Sequence, residues 1–461
     1  MKHLEHTTDL TEGVIRKKLL LYFLPLAAGT LFQQLYNAVD ALVVGRFIGT
    51  GALAAVGGSP AIVIQLVIGF VVALSSGASV VIAQRYGADD RENTGRAVGT
   101  AICAFFIAGL LMTVLMLFLA KPILYMMRTP ADTMADAILY MRLFFAGSLF
   151  MILYNMGAGI LSAVGNAART FFFLVVSCLC NIGLDLLFVT VFSMGVSGVA
   201  LATVLSQMIS CIFILRDLCR TKEIYRLTRE NLQIDRKLLK QMMKIGLPTG
   251  LQSSMFGISN FILTVAINGL GTVVVASWAM SGKIDGIYWA VSQAFGTALM
   301  NFVAQNYGAG KTERIRRGAR IGTIVFLIMT VILSVTILLL AKQILPVFTK
   351  DPAVQTTTWR IITFFVPVYV TWTLIEALGG ILRGLGDTLI PAIIMAIGIC
   401  AVRIIWVFTA YRTWPTLITI SMCYPVSWIL TDLALGIYYL KKRKALFIPA
   451  EGVGKQPLFP A

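Results

Sequence analysis

The chain carries one set of short motifs twice, roughly 220 residues apart. Leu24-Pro25 with Gly29 returns as Leu247-Pro248 with Gly250, and Gln84-Arg85-Tyr86-Gly87-Ala88 returns as Gln305-Asn306-Tyr307-Gly308-Ala309. Ala120-Lys121-x-Ile123-Leu124 recurs as Ala341-Lys342-x-Ile344-Leu345, and Gly159-Ile160-Leu161 with Gly165 recurs as Gly380-Ile381-Leu382 with Gly386. A near-constant offset over so many positions means one duplicated unit, and duplicated hydrophobic units are a hallmark of transporters.

The hydrophobicity is that of a membrane protein. Apolar residues make up 58% of the chain and charged residues 13%, against about 45–50% and about 25% in soluble domains. A soluble fold of 461 residues has no interior large enough for that apolar surface. The formal charge of +17 does not point to nucleic acid, because the Lys and Arg residues fall between apolar runs. Apolar runs of about 20 residues or more, enough to cross about 30 Å of hydrocarbon, lie near 19–44, 52–82, 97–120, 138–163, 170–192, 196–216, 243–268, 273–304, 319–341, 360–383, 389–411 and 416–440. That predicts an all-α integral membrane protein with twelve transmembrane helices in two six-helix bundles.

Arg16-Lys17-Lys18, Arg85, Arg91, Arg96, Arg169, the run from Arg216 to Lys244, Lys311 to Arg320, and Lys441 to Lys444 all lie on one side if both termini are inside. The excess of basic residues on cytoplasmic loops therefore predicts the cell membrane with both termini cytoplasmic. An even number of spans per unit makes the repeats parallel, related by an axis along the membrane normal. The expected organisation is an N-terminal tail over 1–18, a first lobe over 19–216, a basic linker over 217–242, a second lobe over 243–440 and a C-terminal tail over 441–461. No cleaved leader is expected.

Ionisable groups inside apolar spans are costly, about 2.5–3.5 kcal/mol each at mid-span, and mark function. Five acids qualify: Asp40, Asp185, Asp285, Glu376 and Asp432. Asn181 and Asp185 are four apart and share a helix face. With Asp40, Asn155 and Thr203 they offer only oxygen-bearing groups, which suits a hard cation or a proton. Clustered carboxylates in a medium of low polarity resist ionising together, so one of them binds a proton or cation near neutrality. The competing reading is that each carboxylate merely bonds a neighbouring helix. Pro25 and Pro248, interior to spans one and seven, are candidate hinges, since an interior Pro frees a carbonyl one turn back. Tyr36, Glu376, Asp285 and Trp289 are the substrate-cavity candidates. Arg403 is a candidate to neutralise one of the second-half acids.

Several chemistries are excluded or disfavoured. The only His residues are His3 and His6, so a His-based catalytic or metal site in the spans is ruled out. The seven Cys form no C-x-x-C pair. Gly308-Ala309-Gly310-Lys311-Thr312 imitates a phosphate-binding loop, but Gln305 stands where its first Gly is needed. Gly49-Thr50-Gly51-Ala52-Leu53-Ala54 lacks any βαβ context. Without a nucleotide site, transport would be driven by an ion gradient.

The two-times-six layout, the Pro of spans one and seven, the repeated Gln-x-Tyr-Gly-Ala, and Asp40-Ala41-Leu42-Val43-Val44-Gly45-Arg46-x-x-Gly49 together resemble the multidrug and toxic compound extrusion (MATE) family. The likeness covers about residues 15–440 and is closer to the bacterial and archaeal branch with ion-coupling acids in the first lobe. The resemblance implies a V-shaped pair of bundles exporting organic cations in exchange for H⁺ or Na⁺, with coupling at Asp40, Asn155, Asn181, Asp185 and Thr203. A Na⁺ would sit at Asp40, Asn181 and Asp185. One departure stands out: span seven, Ser253 to Asn260, carries no acid, which puts a second-lobe cation site in doubt. Expected partners are drug-like small molecules and membrane lipids, with no nucleic acid, no further cofactor and a monomeric state. The alternative is a lipid or lipid-linked oligosaccharide flippase, whose anionic head group would want several Lys or Arg facing the cavity; only Lys283 and Arg403 are clear candidates, which disfavours it. A membrane-embedded enzyme would need a nucleophile and base that the spans do not supply.

Overall fold

A computed structural model of the chain describes residues 8–446. The outer parts of the two expected tails, with His3 and His6, lie outside the described residues. The architecture is all helical among the described residues. In chain order the long helices are α1 (Ile15–Ile48), α2 (Ser59–Gly87), α3 (Arg91–Met126), α4 (Met134–Ala146 and Ser148–Ala163), α5 (Ala167–Val191) and α6 (Gly195–Arg220). The second set is α7 (Arg236–Asn268), α8 (Thr272–Gly308), α9 (Thr312–Phe348), α10 (Pro352–Gly384), α11 (Leu389–Tyr411) and α12 (Leu417–Leu446). A short helix, Thr50–Gly57, links α1 to α2.

Ten of the helices are long and apolar enough to cross a membrane, and the two pieces of α4, bent by 49°, bring the number to eleven among the described residues. The remaining one, α8, has 37 residues. Lys283, Asp285, Gln293, Asn301 and Gln305 keep its hydropathy below that group. The expected single span over 138–163 is thus corrected to a broken one. The break falls at the Gly147-Ser148 pair, a common kink site, and a Cβ at Gly147 would press onto Val204 of α6 at 2.5 Å.

Four of the helices, two in each repeat, begin with a side-chain cap. Asp90 accepts from the Asn93 amide at the start of α3, Asn166 from Arg169 at α5, Asp235 from Lys237 and Leu238 at α7, and Asp351 from Ala353 at α10. These side chains satisfy amides that the first helical turn leaves unpaired.

The two repeats meet along α2 and α7. A Cβ at Gly77 would land on the backbone of Gly246 and Met242, and one at Gly246 would lie 2.5 Å from the Leu74 carbonyl. Without side chains at the crossing the backbones touch. Beside it α1 runs against α8: Phe23 lies 5.2 Å from Phe295, Thr30 donates to the Ala290 carbonyl at 3.0 Å, and Gln34 to Gly286 at 3.4 Å. The cluster holding Leu19, Tyr22 and Phe23 of α1 is completed by Phe295, Phe302 and Phe326 of the second repeat. At the end of the bundle where α2 stops and α3 starts, basic residues are paired across elements: Arg96 with Asp235 at 2.7 Å, Arg169 with Asp217 at 2.8 Å, and Lys442 with Asp387 at 2.7 Å. We call this the basic end.

Candidate functional site

Within the first repeat, α1 and α5 bring two acids face to face. Asp40 sits near the end of α1 and Asp185 near the end of α5, and their carboxyls lie within hydrogen-bonding reach of one another. Immediately beyond each acid the α-helix widens into a π turn, Val44–Ile48 after Asp40 and Leu187–Val191 after Asp185, and these two turns touch. Asn181, one helical turn before Asp185 and 1% exposed, satisfies its neighbours in one amide orientation, the one that turns its nitrogen to Asp185 Oδ2 at 2.9 Å and its oxygen to the Thr203 backbone amide at 3.2 Å. The Tyr36 hydroxyl reaches Thr203. Tyr140 of α4, 7% exposed, borders both acids. Asp40 Oδ1 and Asp185 Oδ1 are both buried without a donor. Two carboxylates this close, each with a buried oxygen that has no donor, need a proton or a cation to share the site.

The second repeat holds its acids differently. Asp285 of α8 accepts a hydrogen bond from the Tyr369 hydroxyl, and Tyr369 stacks on Tyr288 with centroids 3.9 Å apart. Glu376 of α10 is ion-paired with Arg383 at 2.7 Å, two turns along the same helix. Trp289 packs edge-on against Trp372 at 4.8 Å and reaches Trp428 at 6.2 Å, which puts three indoles in one cluster. Arg403 does not meet any of these carboxylates. It is 5% exposed, donates to Ser427 at 3.2 Å and to Asn260 at 3.5 Å, and lies over the Tyr424 ring at 4.1 Å. The expectation that it neutralises an acid is therefore corrected. A buried guanidinium on an aromatic face is stabilised by the ring's negative quadrupole, and here two side-chain oxygens accept from it as well.

With this geometry in hand, the comparisons decide the family. The MatE family model matches residues 25–187 and again 248–409, one match per repeat. The chain belongs to the MATE family. It is a multi-pass membrane transporter rather than an enzyme. Among curated MATE relatives, probable multidrug resistance protein YoeA of Bacillus subtilis is 25% identical over 427 residues, covering 91% of this chain and 92% of that protein. Probable multidrug resistance protein NorM of Thermotoga maritima is 23% identical, covering 85% and 84%. Multidrug export protein MepA of Staphylococcus saprophyticus is 20% identical, covering 80% of each. The outward-facing conformation of a multidrug resistance MATE family transporter has the same fold, with a TM-score of 0.88 at 24% identity over 96% of this chain and 99% of that one. A transporter from Pyrococcus furiosus matches as well, with a TM-score of 0.88 at 23% identity, covering 95% and 98%.

Set against this MATE fold, the sequence-derived residues separate into groups. Asp40, Asn181, Asp185 and Thr203 come together. Asn155 does not join them through a hydrogen bond of its own, since its amide donates to the Met151 carbonyl one turn back at 2.8 Å. Tyr36, expected to line a substrate cavity, stands at the acid cluster. Trp289 lies in the second-repeat aromatic cluster, while Glu376 and Asp285 are each engaged by a neighbour. Pro25 and Pro248 lie inside α1 and α7, each a continuous helix past its proline. Sequence reasoning missed Tyr140, Tyr369 and Arg383. Only Arg383 carried a usable signal, because a residue seven positions after Glu376 shares its face.

Proposed function

We propose that this MATE transporter is a secondary active exporter of drug-like organic compounds, cationic for the most part, in exchange for H⁺ or Na⁺. The observation that carries the coupling is the Asp40–Asp185 pair with two buried, donor-free oxygens. The pair holds the ion, with Asn181 fixing the Asp185 carboxyl and Thr203 fixing both Asn181 and Tyr36. A proton would be shared between the two acids. A Na⁺ would use the same two oxygens, with the Asn181 side chain completing the set. When the ion binds, the charge at the end of α1 changes, and α1 is the helix that also packs against the second repeat. Binding there therefore biases the relation between the two halves, which is what an exchanger requires. Pro25, which removes one backbone hydrogen bond from α1, is the hinge that lets its two ends respond separately.

The two halves of this reading are the lobes 19–216 and 243–440, joined by the basic linker 217–242, in a monomer with the basic end in the cytoplasm. The ion pairs gathered at that end support the orientation, because cationic loops stay on the cytoplasmic side. The half-buried Trp289 and Trp372 of the aromatic cluster offer flat faces for an organic cation. Export tests the proposal. Ethidium efflux is measured in drug-sensitive cells expressing wild type, Asp40→Asn or Asp185→Asn, with the proton and sodium gradients collapsed one at a time. Loss of export in both variants at equal expression supports the coupling site, and the gradient whose collapse stops wild type names the ion. Normal export by the variants removes Asp40 and Asp185 from the mechanism.

A further inference from the structure

The repeated motif Gln-x-Tyr-Gly-Ala lies on the seam between the two repeats at the basic end, and its bonding is reciprocal. Gln84 Nε2 donates to the Gly384 carbonyl at 3.0 Å, and Gln305 Nε2 donates to the Ala163 carbonyl at 2.7 Å. The two donors are 221 residues apart in sequence, and so are the two acceptors. Each repeat thus lends its glutamine to the other. The glycines of the motif sit in the same exchange, since a Cβ at Gly87 would fall on the Gln305 carbonyl and one at Gly308 on the Gln84 carbonyl.

Over this seam runs the chain ahead of α1. Leu10 is fully buried, in the cluster with Leu19, Phe302 and Ile315. Its amide donates to Gln305 Oε1 at 3.3 Å, the one oxygen of that amide left over, and its carbonyl accepts from Asn306 at 3.1 Å. Arg314 at the start of α9 grips the carbonyls of Leu10, Glu12 and Gly13 at 2.7–3.2 Å, and Lys311 that of Thr11 at 3.0 Å. Thr8 holds the first repeat instead, donating to Gly165 at 3.0 Å. The chain ahead of α7 does the converse. Thr100 of α3 donates to the Gln233 carbonyl at 3.2 Å and accepts from the Asp235 amide at 3.1 Å, and Gly95 and Gly99 give Asn231 a bed. The lead-in to each repeat is therefore packed on the third helix of the other one.

We propose that residues 8–14 form a conformational strap, clamped by Arg314, that holds the basic end shut and has to release before that end opens. The inference rests on the proposed exchange of drug for ion, in which the two halves change their relation, only for the word open. Its geometric basis stands apart from it. Thr8 is held by the first repeat and Leu10 by the second, and two residues of extended chain reach at most about 7 Å. The strap cannot stay bonded to both sides of a wider gap. Between Thr8's one bond to the first repeat and the several bonds from Arg314, Lys311 and Asn306 to the second, the bond at Thr8 gives way first. Charge-assisted bonds to backbone carbonyls are the stronger kind, so Arg314 sets how firmly the strap stays down.

The test is a distance measurement that does not depend on transport. Spin labels are placed on Glu92→Cys of α3 and Arg316→Cys of α9, both exposed at the basic end, in a background with the seven native cysteines replaced, and read by pulsed electron resonance in lipid nanodiscs. Arg314→Gln is expected to raise the long-distance population about tenfold or more. Arg314→Lys, which keeps a donor but not the fork, should give an intermediate shift. A chain starting at Val14 behind an initiating Met alters no residue of a membrane-crossing helix and carries the test if the point variant fails to fold. It should show the same shift as Arg314→Gln. Distance distributions identical to wild type in that shortened chain, or in a folded Arg314→Gln protein, overturn the proposal. A failed efflux assay with shifted distances leaves the strap standing and counts against the export reading alone.

Discussion

Replacing Gly77 with Ala should push the basic end apart, and the size of the effect follows from the helix crossing. The added Cβ would fall on the backbone nitrogen of Gly246 and the Met242 carbonyl. Neither is the tip of a flexible side chain, so α2 and α7 have to separate. Overpacking a fitted interior costs about 1–3 kcal/mol. The gain in helix propensity from Gly to Ala, up to about 1 kcal/mol, applies in every state and cancels. The packing cost arises only where the two helices cross at this point, so it moves the equilibrium between closed and open by about 5–150-fold. The assay is the same Glu92–Arg316 spin-label pair, with Gly183→Ala in α5 as the control. A Cβ at Gly183 meets nothing within 4 Å, so that variant should leave the distances as they are. A Gly77→Ala protein with wild-type distances and wild-type thermal stability would refute the claim that the α2–α7 contact is a tight, state-defining crossing.

Tyr369→Phe keeps the ring stacked on Tyr288 but withdraws the hydroxyl from Asp285. A buried carboxyl left without its donor should lower stability by about 1–3 kcal/mol, read as a lower midpoint of thermal unfolding in detergent, and an unchanged midpoint would show that the bond is not formed. Asp235, at the cap of α7 outside the membrane, is held below the usual carboxylate range by the Leu238 and Lys237 amides and by Arg96. A group depressed in the folded state stabilises above its unfolded pKa of about 3.9 and loses that contribution as pH falls through the lower folded value. The gap in unfolding midpoint between wild type and Asp235→Asn should accordingly be full at neutral pH and shrink below about pH 4; a gap independent of pH would show that the charge at Asp235 is not what matters.

Much of this architecture is legible in the sequence because its causes are local. Long apolar runs have to be helices in a bilayer, where every backbone group needs an internal partner, and the duplicated motifs give the two-unit plan directly. The pairing of Asn181 with Asp185 follows from helical spacing alone. What the sequence hides depends on tertiary contact. The Gly147-Ser148 pair is a local kink signal, but the close approach of Val204 that requires the glycine comes from another helix. Tyr140 joins the acids from α4, far away in sequence. Arg403 looks like a counter-ion by composition, yet its surroundings are the rings of Tyr424 and Trp428. The duplicated Gln84 and Gln305 are visible as a repeat, but their exchange of partners between halves requires the two repeats to be placed side by side.

The proposed exchange requires that ion binding at the Asp40–Asp185 pair and drug binding oppose one another. The most direct measurement is ion release from the purified transporter in lightly buffered solution as ethidium is added, with proton uptake or release followed by a pH dye and the titration repeated over a series of Na⁺ concentrations. The account predicts that ethidium binding to wild type releases protons, or weakens as Na⁺ rises, and that both effects vanish in Asp40→Asn and in Asp185→Asn. Ethidium binding that is unaffected by pH and by Na⁺, or proton release that persists in both variants, would contradict it.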